Sequence, residues 1–135
     1  MARLRIFDLR ILFALGLLLL GACAFDVVSL HSIPTTLTPA NANGPRLVLQ
    51  TGLQPKLVSG WVSPLKPHTT WQKVGQTPQG DVYRTKDQIL TVEASNLYQA
   101  DMVVKDGEVI GFYIPTGLVF TPCSHPLKID LSEII

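Results

Sequence analysis

The sequence has little charge, few cysteines and, beyond its first 20 residues, no long apolar run. Charged residues make up 16% of the 135 residues and the formal net charge is +1. The chain therefore lacks the basic surface that neutralises nucleic-acid phosphates, and no nucleic-acid partner is expected. With only two cysteines, Cys23 and Cys123, a disulfide-rich scaffold is excluded. No later stretch approaches the roughly 18 apolar residues of a membrane-spanning helix.

The N-terminus has the organisation of an export signal. Arg3, Arg5 and Arg10 precede an apolar run of ten residues, Ile11–Leu20. At about 1.5 Å rise per residue, this run covers roughly half of a bilayer's hydrocarbon thickness, which suits a secretory signal better than a permanent span. We therefore predict that residues 1–22 are a targeting segment.

The four residues that end this segment, Leu20, Gly21, Ala22 and Cys23, resemble the lipobox of bacterial lipoproteins. The resemblance implies cleavage before Cys23 and acylation of its thiol, and two or more acyl chains are enough for stable membrane anchoring. An ordinary signal peptide, or an uncleaved anchor in which Cys23 is incidental, is the alternative.

The residue after Cys23 bears on the destination of the protein. In lipoproteins of diderm bacteria an Asp at this place commonly causes retention in the inner membrane, whereas Ala24 stands here and the nearest acid is Asp26. The resemblance therefore implies lipid anchoring in the outer membrane, facing the periplasm, with the inner membrane as the less favoured alternative.

Removal of residues 1–22 would leave a nearly neutral chain with eight cationic and nine acidic side chains. Lipidation of Cys23 would also make Cys123 the only free thiol, so no internal disulfide could form. If Cys23 is not lipidated, a bridge between Cys23 and Cys123 is the one alternative pairing.

Three regions follow the signal. Residues 23–45 are rich in Pro and Thr, which predicts a flexible tether that holds the domain several tens of Å from the bilayer. The alternative is that part of it packs on the domain, because Phe25, Val27, Val28 and Leu30 are apolar. Residues 46–127 are predicted to be the folded domain, and residues 128–135 a C-terminal tail.

The sequence of the domain predicts an all-β fold, because short runs rich in β-favouring residues alternate with Gly, Pro, Asn and Asp. We expect a small antiparallel meander that closes into a barrel or a compact sandwich. The predicted strands are Arg46–Gln50, Lys56–Val62, Thr70–Val74, Asp81–Thr85, Ile89–Ala94, Leu97–Lys105, Glu108–Ile114 and Leu118–Thr121.

The stretches Gly80–Gln88 and Gly111–Pro115 are similar to segments of uncharacterised small proteobacterial lipoproteins. This resemblance names no family and implies no activity. Glycines at turns, aromatic residues in a core and charges at strand ends explain most of the two stretches.

The strongest local signal is Asp106-Gly107, which favours a type I′ hairpin turn. Counting outward from this turn predicts the pairs Lys105–Glu108, Val104–Val109, Met102–Gly111 and Ala100–Tyr113.

This register predicts two different sheet faces. Val103, Ile110, Phe112 and Ile114 would share the second face with Gln99 and Asp101, so we expect another strand or the C-terminal segment to cover it in part. The core face would carry Tyr98, Ala100, Met102, Val104, Val109 and Tyr113.

Residues for chemistry are few. Cys123 and His125 form the only thiol and imidazole pair, but in an extended segment their Cα atoms lie about 6.5 to 7 Å apart, too far for assured hydrogen bonding. His31 and His68 are isolated from other metal ligands in the sequence. We therefore predict no catalytic residues, no metal site and no cofactor, and an enzyme is not expected.

Trp61 and Trp71 flank the loop Ser63–Thr70, and we predict that they form a candidate interaction surface, since Trp is common at interface hot spots. The alternative is that both indoles cover the open end of a small barrel.

Two functions remain open at this point. The favoured one is a lipid-anchored interaction or scaffold module of the cell envelope, in which the β domain meets a partner protein through an exposed edge strand. The alternative is binding of a lipid, glycan or peptide in a barrel interior lined by Tyr98, Met102 and Tyr113. A periplasmic enzyme ranks third.

Overall fold

The computed structural model describes residues 29–41 and 43–134, so the predicted signal and the lipobox with Cys23 lie outside the described part. Within these residues no helix has the length and apolar character needed to cross a membrane. The strands are β1 (Ile33–Pro34), β2 (Thr38–Pro39), β3 (Arg46–Leu49), β4 (Trp61–Val62), β5 (Thr69–Thr77), β6 (Gly80–Thr85), β7 (Thr91–Glu93), β8 (Leu97–Gln99), β9 (Asp101–Lys105), β10 (Glu108–Ile114), β11 (Val119–Lys128) and β12 (Leu131–Ile134).

The strands form two antiparallel sheets. The main sheet has the order β1-β11-β10-β9-β6-β5-β3-β12, with β2 paired to β5, and it curls into a half-barrel. The small sheet has the order β4-β7-β8. Val62 and Val92 of the small sheet belong to the same core cluster as Trp71 and Phe112 of the main sheet. The predicted small antiparallel all-β fold is therefore confirmed.

The β9–β10 hairpin turns where the sequence predicts. Asp106 and Gly107 have φ angles of 52° and 75°, and the first two predicted pairs, Lys105–Glu108 and Val104–Val109, are present. Beyond them the register shifts at a bulge between Val109 and Gly111, so Gly111 lies opposite Val103 and Tyr113 opposite Asp101. The predicted pairs Met102–Gly111 and Ala100–Tyr113 are therefore wrong by one residue, because the bulge adds a residue to β10 alone.

The bulge also exchanges the two faces of β10. Phe112 and Ile114 join the main core, and Tyr113 joins the opposite face with Val103. A shift of one residue sends each following side chain to the other side of a sheet, so the predicted face is wrong for Phe112, Tyr113 and Ile114. The main core comprises Leu49, Leu57, Val62, Leu65, Trp71, Tyr83, Leu90, Val92, Ala100, Met102, Val104, Val109, Phe112, Ile114 and Cys123.

The opposite face of the main sheet is covered by apolar side chains that lie over glycines. A Cβ atom added to Gly75 would lie 2.7 Å from Leu37 Cδ1, and one added to Gly111 would lie 2.5 Å from the Phe120 ring. Both positions need glycine because a covering side chain and a backbone carbonyl, that of Thr38 at Gly75 and that of Thr121 at Gly111, occupy the space of the missing Cβ. The pairings place four residues in one row across the sheet, Gly75, Val82, Val103 and Gly111.

Several predicted strands differ from the observed ones. Leu97–Lys105 is broken at Ala100, because its first part belongs to the small sheet and its second part to the main sheet. Lys56–Val62 is reduced to β4 and an isolated bridge between Leu57 and Cys123. The last predicted strand, Leu118–Thr121, instead continues as β11 to Lys128. The sheet that each part of a segment joins is decided by tertiary contacts, which the local sequence does not encode.

The predicted tether and tail both contribute strands. β1 pairs with β11 and β2 with β5, while β12 pairs with β3. The backbone amide of Thr35 also donates to the carbonyl of Leu118 at 3.0 Å. From residue 29 onward the segment therefore lies along the domain, which is the packing that the alternative for residues 23–45 describes.

Candidate functional site

The outer face of the small sheet exposes large apolar side chains. Trp61 pairs with Glu93 and Glu93 pairs with Leu97, so these three side chains form one row across the three strands. Trp61 is 63% exposed and Leu97 67% exposed. An antiparallel sheet normally carries polar residues on its solvated face. The exposed apolar side chains of this row therefore make it a candidate contact surface.

The neighbouring row of side chains explains why Trp61, Glu93 and Leu97 face outward. Val62, Val92 and Tyr98 are cross-strand partners, and Val62 and Val92 are buried in the main core. Because successive residues in a strand point to opposite sides, burial of this row leaves Trp61 and Leu97 on the outer side.

The two tryptophans that the sequence analysis grouped are separated by the fold. Trp71 is fully buried in the main core, where its Nε1 donates to the Thr69 hydroxyl at 2.9 Å. Trp71 is therefore a core residue and not part of an interaction surface. Trp61 alone keeps the predicted exposed position, at the edge of the small sheet.

A groove of about 600 Å³ lies next to Trp61. Gln54 shapes its wall, since its side-chain amide donates to the carbonyls of Pro55 and Val62 at 3.3 and 3.2 Å. Lys56 is exposed and is the only charged lining residue. The lining residues are Gln54, Pro55, Lys56, Leu57, Gly60, Trp61 and Val62.

The described chain begins beside this same place. The backbone amide of His31 donates to the Ser59 hydroxyl at 2.5 Å, and the Thr121 hydroxyl donates to the His31 carbonyl at 2.8 Å. A Cβ atom on Gly60 would lie 3.5 Å from Leu30 Cδ1. We call the group formed by Leu30, His31 and residues 58–61 the exit corner, since the described part of the chain begins there.

The small sheet also presents an open edge at β8. The amide of Ala100 donates to the Leu90 carbonyl at 3.0 Å, and the amide of Ala94 to the Asn96 carbonyl at 2.9 Å. In the antiparallel pattern these bonds direct the backbone polar groups of Tyr98 toward β7. The backbone groups of Leu97 and Gln99 therefore point toward the open edge, where an added strand could pair.

The structure places Cys123 and His125 in different surroundings. Cys123 is buried in the main core, and desolvation raises the pKa of its thiol to about 11. His125 is exposed, and between them the amide of Ser124 donates to the Lys56 carbonyl at 2.7 Å. At neutral pH the thiol is protonated, so it lacks the thiolate that a nucleophile requires.

The ion pair between the half-exposed Arg84 and the buried Asp101 was not predicted from the sequence. Arg84 Nε and Nη2 donate to the two carboxylate oxygens of Asp101 at 3.0 and 2.8 Å, and Asp101 is buried. The hydrogen bond to Asp101 raises the pKa of Arg84. The signal in the sequence was an acid that directly precedes Met102, Val103 and Val104.

Sites for metals and interior ligands find no support in the described part of the chain. No group of three or more His, Cys, Asp or Glu side chains is placed there to hold a metal ion. Met102 is fully buried in the main core, whereas Tyr113 belongs to the cluster on the opposite face. These two residues and Tyr98 therefore do not line one common cavity.

Comparison of the chain with protein-family models, with curated proteins and with solved structures finds no significant match.

Proposed function

We propose that this chain is a lipid-anchored interaction module of the bacterial cell envelope, held by Cys23 in the outer membrane and facing the periplasm. The observation that carries the proposal is the sequence Leu20-Gly21-Ala22-Cys23 directly after the apolar run Ile11–Leu20. The first described residue, Ser29, is exposed and lies six residues after Cys23 in the sequence.

The partner in this proposal is an envelope protein that adds a strand to β8. The edge offers the outward backbone groups of Leu97 and Gln99, and the Leu97 side chain is exposed beside them. Main-chain hydrogen bonds supply affinity in such strand addition, and the flanking side chains supply specificity. The nearly neutral chain needs no strongly charged partner.

The small-ligand alternative has no specific observation in its favour. The interior of the half-barrel is occupied by core side chains such as Trp71, Met102 and Phe112. A lipid, glycan or peptide would need space that these residues fill.

The anchor is tested by the intact mass of the protein extracted from host membranes. We expect a chain that begins at Cys23 and carries acyl groups, and we expect Cys23→Ala to remain unprocessed and unacylated. Cys123→Ser is the matched control and should be processed like the wild type. An unmodified mass for the wild-type protein would refute the anchor.

The partner is tested by placing a photo-crosslinking amino acid at Gln99 in the host cell. We expect one discrete adduct, and we expect Leu97→Pro to abolish it because proline removes an outward amide donor without breaking the pairing to β7. The same photoreactive residue at the exposed turn position Thr116 is the control. An adduct that survives Leu97→Pro would contradict strand addition at this edge.

A further inference from the structure

We propose that the exit corner is the side of the domain that rests on the membrane, with Val58 and Trp61 in contact with the lipid headgroup region. The inference rests on the proposed lipidation of Cys23 and adds the orientation of the domain and the contact surface. Two independent observations support it, the length of chain between anchor and domain, and the side chains exposed where that chain enters.

The first observation is the short connection. Seven residue steps separate Cys23 from Leu30, which packs against the main core. Even when fully extended, seven steps span at most about 25 Å. A compact domain of this size is roughly 30 Å across. Because even the upper limit of the connection is shorter than the domain, the side where Leu30 packs faces the bilayer.

The pairing of β1 and β2 makes this connection short. A free segment over residues 23–45 would allow the domain to turn any side toward the membrane. The His31 amide donates to the Ser59 hydroxyl, and the Thr35 amide donates to the carbonyl of Leu118, the residue before β11. These bonds hold the segment along the domain instead. Only the residues before Leu30 are left to bridge the gap.

The second observation is the chemistry of the exit corner. Val58 is 56% exposed and Trp61 63% exposed, on either side of Gly60, whose φ of 81° turns the chain between them. Trp favours the boundary between lipid headgroups and acyl chains, because its ring is apolar and its indole N–H is polar. Exposed apolar residues thus lie on the side that the short connection turns toward lipid.

The charges around Trp61 set the depth of contact. Lys56 lines the adjacent groove, where an ammonium group can pair with anionic phospholipid headgroups. Glu93 is exposed beside Trp61 and would have to lose its hydration to enter the hydrocarbon region. The corner is therefore suited to the headgroup region and not to deep insertion.

The test uses the acylated protein reconstituted in vesicles of phosphatidylethanolamine and phosphatidylglycerol. Part of the lipid is replaced by a phosphatidylcholine brominated close to its headgroup, which quenches tryptophan only on contact. We expect the wild type to lose most of the Trp61 emission and the Trp61→Phe variant to lose almost none, because Trp71 is fully buried.

The matched control places the tryptophan at position 118, beside the residue that follows β1. Leu118 is 59% exposed, about as much as Trp61, and it lies beside Thr35, four residues along the segment from His31. We expect Leu118→Trp combined with Trp61→Phe to be quenched several-fold less than the wild type. Equal quenching at positions 61 and 118 would show no preferred orientation and overturn the inference.

Vesicle flotation and intact mass separate this inference from the proposed function. Acylated protein that floats with the vesicles but shows no quenching of Trp61 refutes the orientation and leaves the anchor standing. Protein that carries no acyl chain and does not float refutes the anchor, and the orientation falls with it.

Discussion

The main sheet and the small sheet differ in the burial of their two faces. The main sheet buries Met102, Phe112 and their neighbours on one side, and Leu37 and Phe120 cover glycines on the other. The small sheet buries Val62 and Val92 on its inner side but leaves Trp61 and Leu97 exposed on its outer side. The main sheet therefore gives the domain its stability, and the small sheet carries the surface that is free to contact something else.

The largest expected effect comes from comparing the two tryptophans. Trp71→Ala removes a fully buried indole from the main sheet and should lower the free energy of unfolding by about 3–5 kcal/mol. Trp61→Ala in the small sheet should change it by less than about 1 kcal/mol. Urea denaturation followed by circular dichroism measures both, and similar losses would erase the distinction between the sheets.

The ion pair between the half-exposed Arg84 and the buried Asp101 on the main sheet gives the next effect. Arg84→Met leaves the buried Asp101 carboxylate without its bidentate partner, and we expect a loss of about 3 kcal/mol. Lys73→Met is the matched control, since the Lys73–Asp81 pair at 3.3 Å is partly exposed and should contribute less than about 1 kcal/mol. Equal losses in urea denaturation would mean that burial of Asp101 has no energetic consequence.

A smaller effect is expected where Phe120 covers the main sheet. Gly111→Ala places a Cβ against the Phe120 ring and the Thr121 carbonyl, and should cost about 1–3 kcal/mol. Gly107→Ala has nothing within 4 Å and suffers only from its φ of 75°, so about 1 kcal/mol is expected. Thermal unfolding of both variants compares the effect of crowding at Gly111 with that of backbone strain at Gly107. A larger loss of stability for Gly107→Ala would contradict the covering role of Phe120.

The last prediction concerns Cys123, where β11 meets residue 57. Since burial raises the pKa of its thiol to about 11, the folded protein should react negligibly with a thiol reagent at pH 8 and rapidly in urea. The sign for stability follows from the usual thiol pKa of 9.0. The unfolded thiol ionises first, so stability is lost between about pH 9 and 11. Fast labelling of the folded protein at pH 8 would show that the site is open.

The sequence predicted what depends on local patterns and missed what depends on distant contacts. The type I′ turn at Asp106-Gly107 needs only two residues with positive φ, and it was predicted correctly. The bulge between Val109 and Gly111 lies where Phe120 of another strand covers Gly111. No periodicity within residues 97–114 contains that information, so the predicted faces were exchanged from Gly111 onward.

The candidate site was predicted only in part for the same reason. Both tryptophans occur beside turn-rich segments, and their local sequences do not show which of them enters the core. The distinction arises because β5 is a central strand of the main sheet and β4 is an edge strand of the small one. Exposure of Trp61 is thus a property of topology and not of its neighbours in the sequence.

The two edges of the main sheet are formed by β1 and β12, the first and the last strand of the described residues. Ile33 in β1 pairs with Phe120, and Leu131 in β12 pairs with Leu49. Because these partners are far apart in sequence, loop closure is costly, and the sheet cannot be completed until residues 131–134 are available. A chain that has not yet formed residues 131–134 would leave β3 paired with β5 alone, as the unprotected edge of the main sheet.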